Sequence, residues 1–172
     1  MKIVLKRCTL RPWTMDDVKS LARHANNPKI ASNLRDVFPH PYLENDAIQY
    51  IELCGQKDGS LKWAIEVNNE AAGSVALLPM TDIYRKNFEL GYWLGEEHWG
   101  KGIITEVVAA VCQYAFEQTN IHRLYARVFS ENTASAKILL HNGFVQCGHM
   151  HQSVFKMGVF HDELIFEKIK KG

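Results

Sequence analysis

The densest chemistry in the chain lies in Gly95-Glu96-Glu97-His98-Trp99-Gly100-Lys101-Gly102, between the apolar run Phe88 to Leu94 and a helical pattern beginning near Ile104. Glycines just before a helix let unpaired backbone N–H groups converge. The helix dipole adds partial positive charge, so such a loop can hold a phosphate through main-chain contacts. The same glycines could serve only to turn the chain into the helix. Gly95, Gly100 and Lys101 also match the G-x-x-x-x-G-K spacing of a nucleotide-binding P-loop. That match fails at Gly102, where the hydroxyl that would hold Mg²⁺ is missing, and no apolar strand elsewhere ends in a suitable Walker B aspartate. Glu96 and Glu97 would further crowd a triphosphate. The expectation is an anion-binding loop without nucleotide hydrolysis.

Two other sets of residues invite a chemical reading. His149 and His151 would share one strand face and could bind a metal, but no third ligand stands at suitable spacing, so surface or core histidines are expected. Cys8, Cys54, Cys112 and Cys147 are scattered, with no C-x-x-C pair, which fits reduced thiols in a cytoplasm. A nucleophilic Cys147 aided by His149 is conceivable. A small buried hydrophobe is the expected role of each cysteine.

The elements that must position these residues follow from hydrophobic periodicity. Ile3 to Leu10 is a β-like run closed by Arg11-Pro12. Thr14 with Asp17 resembles a capping box, and Val18, Leu21, Ala22 and Ala25 recur at helical spacing until Asn26-Asn27-Pro28. After Pro39-His40-Pro41 a second helix begins near Asn45, with Ile48, Ile51 and Leu53 on its apolar side and Gly55 and Gly59 beyond it. Leu61 to Val67 and Ala71 to Leu78, joined by Asn68-Asn69-Glu70, predict a hairpin, and Phe88 to Leu94 a third strand. Ile104, Val107, Val108, Val111 and Ala115 predict a long amphipathic helix before a strand over Arg123 to Phe129. Asn132 can cap a short helix carrying Ala136, Leu139 and Leu140, which Asn142-Gly143 ends. Phe144 to Phe155 and Phe160 to Ile169 close the chain as strands. The order β, α, α, β, β, β, α, β, α, β, β is a mixed α/β fold with a mainly antiparallel sheet, expected as one domain over residues 1–172.

Along this order stand Glu89-Leu-Gly-Tyr-Trp-Leu94, Trp99-Gly-Lys-Gly-Ile-Ile-Thr-Glu106, Asn132-x-x-Ser135 and Asn142-Gly-Phe144. Together they resemble the GNAT N-acetyltransferases, specifically the RimJ/RimL-like branch. Leu10-Arg-Pro-Trp13 with Asp16-Asp17 resembles that branch's opening strand and helix, and His161-Asp-Glu-Leu-Ile165 its last strand. The resemblance implies a central sheet of about seven strands flanked by helices, with a splayed strand pair holding acetyl-CoA. In the family a Q/R-x-x-G-x-G/A loop holds the cofactor pyrophosphate with backbone amides. Here it falls on Glu97, Gly100 and Gly102, with Trp99, Lys101 and Ile103 among the cofactor-binding residues. Glu97 departs from the usual Gln or Arg, which should weaken binding only modestly because the contacts are main-chain ones.

The resemblance also implies that the pantetheine arm lies along Trp93, Leu94 and Gly95 as an added strand, in a gap that needs two strands to splay. Asn132 matches an asparagine that contacts the cofactor arm, and Ser135 a serine that protonates the departing thiolate. From the residues alone, Asn132 could be only a helix cap and Ser135 an ordinary first-turn residue. Many family members use instead a tyrosine four residues before the Gly of the G-F pair, a position that Leu139 occupies here. With regular pairing, Glu89, Gly91 and Trp93 share a strand face, and Gly91 leaves room between a carboxylate and an aromatic wall for a small amine. Apolar surroundings would suit Glu89 to take a proton directly or through water. A solvated strand glutamate is the alternative reading, and His98 is the other candidate base.

Composition limits the function classes. A chain of 172 residues with 47% hydrophobic and 23% charged content excludes disordered and collagen-like proteins. Twenty Lys and Arg against nineteen Asp and Glu leave a net charge of +1, so no global basic field gathers nucleic acid. The segment Met1 to Thr14 has no long apolar core, and no later stretch approaches the ~20 apolar residues that span a bilayer. A soluble, unprocessed chain without a membrane partner is expected. The expected function is acetyl-CoA-dependent acetylation of a primary amine, without a metal, on a protein N-terminus or a small molecule. A GNAT-like module that binds acyl-CoA without turnover is the alternative.

Overall fold

The computed structural model describes residues 2–171; Met1 and Gly172, the ends of the expected domain, lie outside it. Among the described residues eight strands form one mainly antiparallel sheet in the order β1-β2-β3-β4-β5-β6-β8-β7. The backbone groups into two compact units, one of residues up to 76 with 92–104, the other of 77–91 with 105 onward. Among the described residues no helix is long and apolar enough to cross a membrane.

In the first unit the run Ile3 to Leu10 is two strands rather than one. β1 (Ile3–Val4) and β2 (Thr9–Arg11) pair antiparallel, with Ile3 opposite Leu10. Between them Leu5 N donates to Cys8 O at 2.9 Å. The charged pair Lys6-Arg7 favours a turn over burial, and the split accounts for the eighth strand. β2 then pairs with β3 (Leu61–Val67), placing Leu10 beside Ile65, both fully buried. The Asp17 carboxylate accepts from the Thr14 amide at 2.9 Å and its hydroxyl at 3.1 Å, the reach-back half of a capping box. It starts a 3₁₀ turn leading into α1 (Val18–Ala25).

Asn27-Pro28 stops α1 and also starts a helix. The Asn27 side chain accepts from Lys29 N at 2.8 Å, and Pro28 opens α2 (Pro28–Ala31), whose first position needs no N–H. α1 and α3 (Glu44–Cys54) bury Leu21, Ala22, Ala25, Ala47 and Ile51 around Tyr42, with Trp13, Phe38 and Trp93 packed against them. β3 turns into β4 (Glu70–Pro79) through Asn68 and Asn69, whose φ values of 52° and 66° suit a type I′ turn. At Gly73 of β4 a Cβ would lie 2.5 Å from Trp93 O and 3.0 Å from Leu94 Cα. Only a glycine admits that approach to the end of β5 (Asn87–Leu94).

In the second unit α4 (Ile103–Gln118), which begins in the first, fully buries Val107, Val108, Val111 and Ala115. β6 (Arg123–Phe129) pairs with β8 (Val159–Ile169) along its whole length. Its parallel register with β5 covers only Asn87–Glu89 against Arg123–Tyr125, although β5 continues to Leu94. α5 (Thr133–His141) is capped by Asn132 and followed by Gly143, φ +76°. β7 (Val145–Lys156) pairs with β8 through two register shifts. No disulfide joins the four cysteines among the described residues; Cys8 and Cys112 are buried, but Cys54 is only half-buried and Cys147 is exposed, which corrects the buried role expected of both.

Candidate active site

The glycine loop is shaped by torsion rather than crowding. Gly100 and Gly102 have φ of +71° and +72°, a conformation that costs other residues about 1–2 kcal/mol. A Cβ at Gly100 would meet no atom within 4 Å, and at Gly102 only the Arg7 guanidinium, with Nε at 3.7 Å. The loop therefore presents open backbone directly before the sixteen-residue α4, whose first amides lack intrahelical acceptors. Arg7 is a cation that sequence reasoning missed at this place. It reaches Gly102 because the β1–β2 turn carries it there, and only its charge was visible in the sequence.

Both acids of the loop face cations or histidines. Glu96 accepts from Asn27 Nδ2 at 2.7 Å and from Lys29, and the Lys29 ammonium holds its carboxyl below the usual range. Glu97 Oε1 lies 3.4 Å from His24 Nδ1, 3.5 Å from His98 Nε2 and 3.9 Å from the Arg23 guanidinium. His24 is buried, and burial, with Arg23 beside it, pushes its imidazole below the ordinary histidine value.

Gly95 N donates to Ala72 O at 2.8 Å, so that amide belongs to the pairing with β4. By the alternation of a strand, the Leu94 amide points to the opposite edge. Of the Trp93–Gly95 segment expected to pair with the pantetheine arm, Leu94 is thus the residue whose amide faces away from β4. The Trp99 indole Nε1 donates to Leu94 O at 2.7 Å and ties the loop back onto the strand. Trp93 is half-buried and meets Phe38 edge to face at 5.7 Å.

Phe88 and Leu90 are buried, and Glu89 and Gly91 alternate with them, as expected. A Cβ on Gly91 would meet nothing within 4 Å. The surroundings of Glu89 differ from expectation. Its carboxylate accepts from the Tyr125 hydroxyl at 3.0 Å and from Arg127 Nε at 3.3 Å, so a phenol and a guanidinium replace the apolar setting. The parallel register places Tyr125 directly opposite Glu89, which the sequence cannot announce. Glu163 on β8 is the buried carboxylate here, 8% exposed. Burial raises it above the usual range; the Glu89 charge adds to that shift, and Arg127 opposes it. It stood in the His161-Asp-Glu-Leu-Ile165 run without a sign of its burial.

On α5 the Asn132 side chain accepts from Ser135 N at 3.1 Å, so its carbonyl oxygen serves the cap. Ser135 is half-buried, and Leu139 is fully buried in the position a tyrosine acid would need. His149 and His151 do gain a third ligand group, Asp162, from the neighbouring strand β8.

The acetyltransferase (GNAT) domain family matches residues 7–145. An uncharacterised N-acetyltransferase, p20, of Bacillus licheniformis is 28% identical over 169 residues, covering 96% of this chain and 94% of that protein. Spermidine N(1)-acetyltransferase of Escherichia coli (strain K12) is 26% identical over 161 residues, covering 90% and 82%. The solved structure of RimL, a ribosomal L7/L12 alpha-N-protein acetyltransferase in complex with coenzyme A, shares the fold with a TM-score of 0.85. That match covers 97% of this chain and 96% of that one at 22% identity. With the family match spanning most of its length, the chain belongs to the GNAT acetyltransferase family and is an N-acetyltransferase.

Proposed function

We propose that the protein moves the acetyl group of acetyl-CoA to a primary amine by direct attack of the neutral amine on the thioester. The observation that carries this reading is the open, left-handed backbone at Gly100 and Gly102 at the start of α4, a cradle suited to a pyrophosphate. Trp99, Lys101 and Ile103 flank that cradle, and Arg7 adds a cation to it. Trp93, Leu94 and Gly95 take the pantetheine arm, with Leu94 supplying the outward amide. The bound cofactor supplies an activated acyl group; the protein contributes binding, orientation and proton movement. Asn132 serves the cofactor arm, and Ser135 returns a proton to the leaving thiolate. Glu89 takes the proton of the amine, with Glu163 and His98 the alternatives.

The acceptor is a protein N-terminal α-amine or a small-molecule amine, the two kinds named for RimL and for the spermidine enzyme. A cytoplasmic setting fits four cysteines that form no disulfide with one another. The test is thiol release from acetyl-CoA with N-terminal peptides and polyamines side by side, in the wild type and in Gly102→Asp. Release is expected with one class, and the variant should raise the KM for acetyl-CoA by at least about tenfold, 1.4 kcal/mol. No release with either class would overturn the amine acceptor. An unchanged KM in a folded variant would overturn the phosphate cradle.

A further inference from the structure

We propose that His149, His151 and Asp162 form a binding site for a late first-row divalent metal ion such as Zn²⁺, pinning β7 to β8. Each residue offers one ligand atom, and the three atoms lie within 4.8 Å of one another. His149 Nε2 stands 2.8 Å and His151 Nδ1 3.0 Å from the same oxygen, Asp162 Oδ2. At metal–ligand lengths of about 2.0–2.1 Å, ligands at a right angle sit about 2.9 Å apart and tetrahedral ones about 3.4 Å. The observed contacts are hydrogen bonds, and opening them by about 0.4–0.6 Å would bring the atoms to tetrahedral ligand spacing.

Residues two apart on a strand share a face, and the two imidazoles lean together there, with ring centroids 4.2 Å apart. A backbone bulge adjoins them. Between the pairs Met150–Glu163 and Val154–His161, β7 spends three residues where β8 spends one, and Gln152 within that bulge has φ +48°. Gln152 N also donates to Asp162 Oδ1 at 2.8 Å, which fixes the carboxylate and turns Oδ2 toward both imidazoles. Side-chain exposures of 42%, 77% and 29% for His149, His151 and Asp162 leave room for water in the remaining coordination positions. A second cluster, His24, Glu97 and His98, has comparable reach. It is the poorer cation site, because Arg23 Nη2 stands 3.0 Å from His24 Nε2.

The experiment is calorimetric titration of the full chain, stripped with a chelator, with Zn²⁺ alone. One equivalent should bind, and His149→Gln, His151→Gln and Asp162→Asn should each weaken it by at least about tenfold. Cys147→Ser and His98→Gln should bind as the wild type does. Thermal unfolding of each variant checks the fold; should Asp162→Asn lose the hairpin along with Gln152 N, the two histidine variants decide. No binding up to about 0.1 mM, where even weak specific sites fill, would overturn the site. So would full affinity in the folded histidine variants, or a loss confined to Cys147→Ser or His98→Gln.

Discussion

At Glu89 the carboxylate is held by Tyr125 and Arg127, whereas at Glu163 it is buried, and this difference separates their roles by experiment. Glu89→Gln should lower kcat. An α-amine acceptor has a pKa of about 7.7–8.0, so the loss should be largely recovered as pH rises through about 8. An alkylamine at about 10.4 should keep the loss to about pH 9. Glu163 also bears on stability. Its folded value is raised by burial, so the fold prefers the neutral acid and loses stability as pH rises through that value. Glu163→Gln should therefore be at least as stable as the wild type at pH 7 and keep its activity. Loss of activity in that folded variant, with its acid limb gone from the pH–rate profile, would move the base to Glu163. The left-handed glycines ahead of α4 were legible because their signal is local, two glycines before a helical period. Arg7 and Glu163 were not, because a turn brings the first into place and sheet packing buries the second.

Two glycines on neighbouring strands test how the elements are fitted. Gly73→Ala would drive a methyl group against backbone, Trp93 O at 2.5 Å, which cannot move aside as a side-chain end can. It should cost about 1–3 kcal/mol, read as a lower denaturation midpoint with an unchanged slope. Gly91→Ala meets open space and should leave the midpoint nearly unchanged. Because it fills room proposed for the amine, it should raise the acceptor KM while leaving that for acetyl-CoA alone. A stable Gly73→Ala protein would show that β4 and the end of β5 are not so closely held. Elements with a local signature were read well: the Asn68-Asn69 turn, the Asn132 cap and β6 from Arg123 to Phe129. The break in the first strand and the one-turn helix at Pro28 were missed. In both, side-chain chemistry at two or three residues overrides a longer hydrophobic pattern.

For the molecule as a whole, acid sensitivity should trace to the cluster of Arg11, Asp17 and Glu66. Burial would raise the Asp17 carboxyl, but bonds from Arg11, at 2.7 Å, and Thr14 more than offset it and hold it below the usual value. A lowered folded value gives stability that is present above the unfolded pKa of about 3.9 and lost as pH falls through the folded one. Asp17→Asn should cost about 3 kcal/mol near pH 7, and its melting temperature should converge on that of the wild type below about pH 4. A constant gap down to acid would place the effect elsewhere. The fold class was readable from the order of elements, but the long-range partners of this cluster were not, since Glu66 meets Arg11 only through the β2–β3 register. β7 is the last strand of the described sheet, so one side of it carries main-chain N–H and C=O groups with no neighbouring strand. Such a margin invites a second polypeptide to zip on. The register shifts at Gln146/Gly148 and Met150/Val154 cut it into short stretches. A bulged edge of this kind is a poor template for a second strand and disfavours edge-to-edge association.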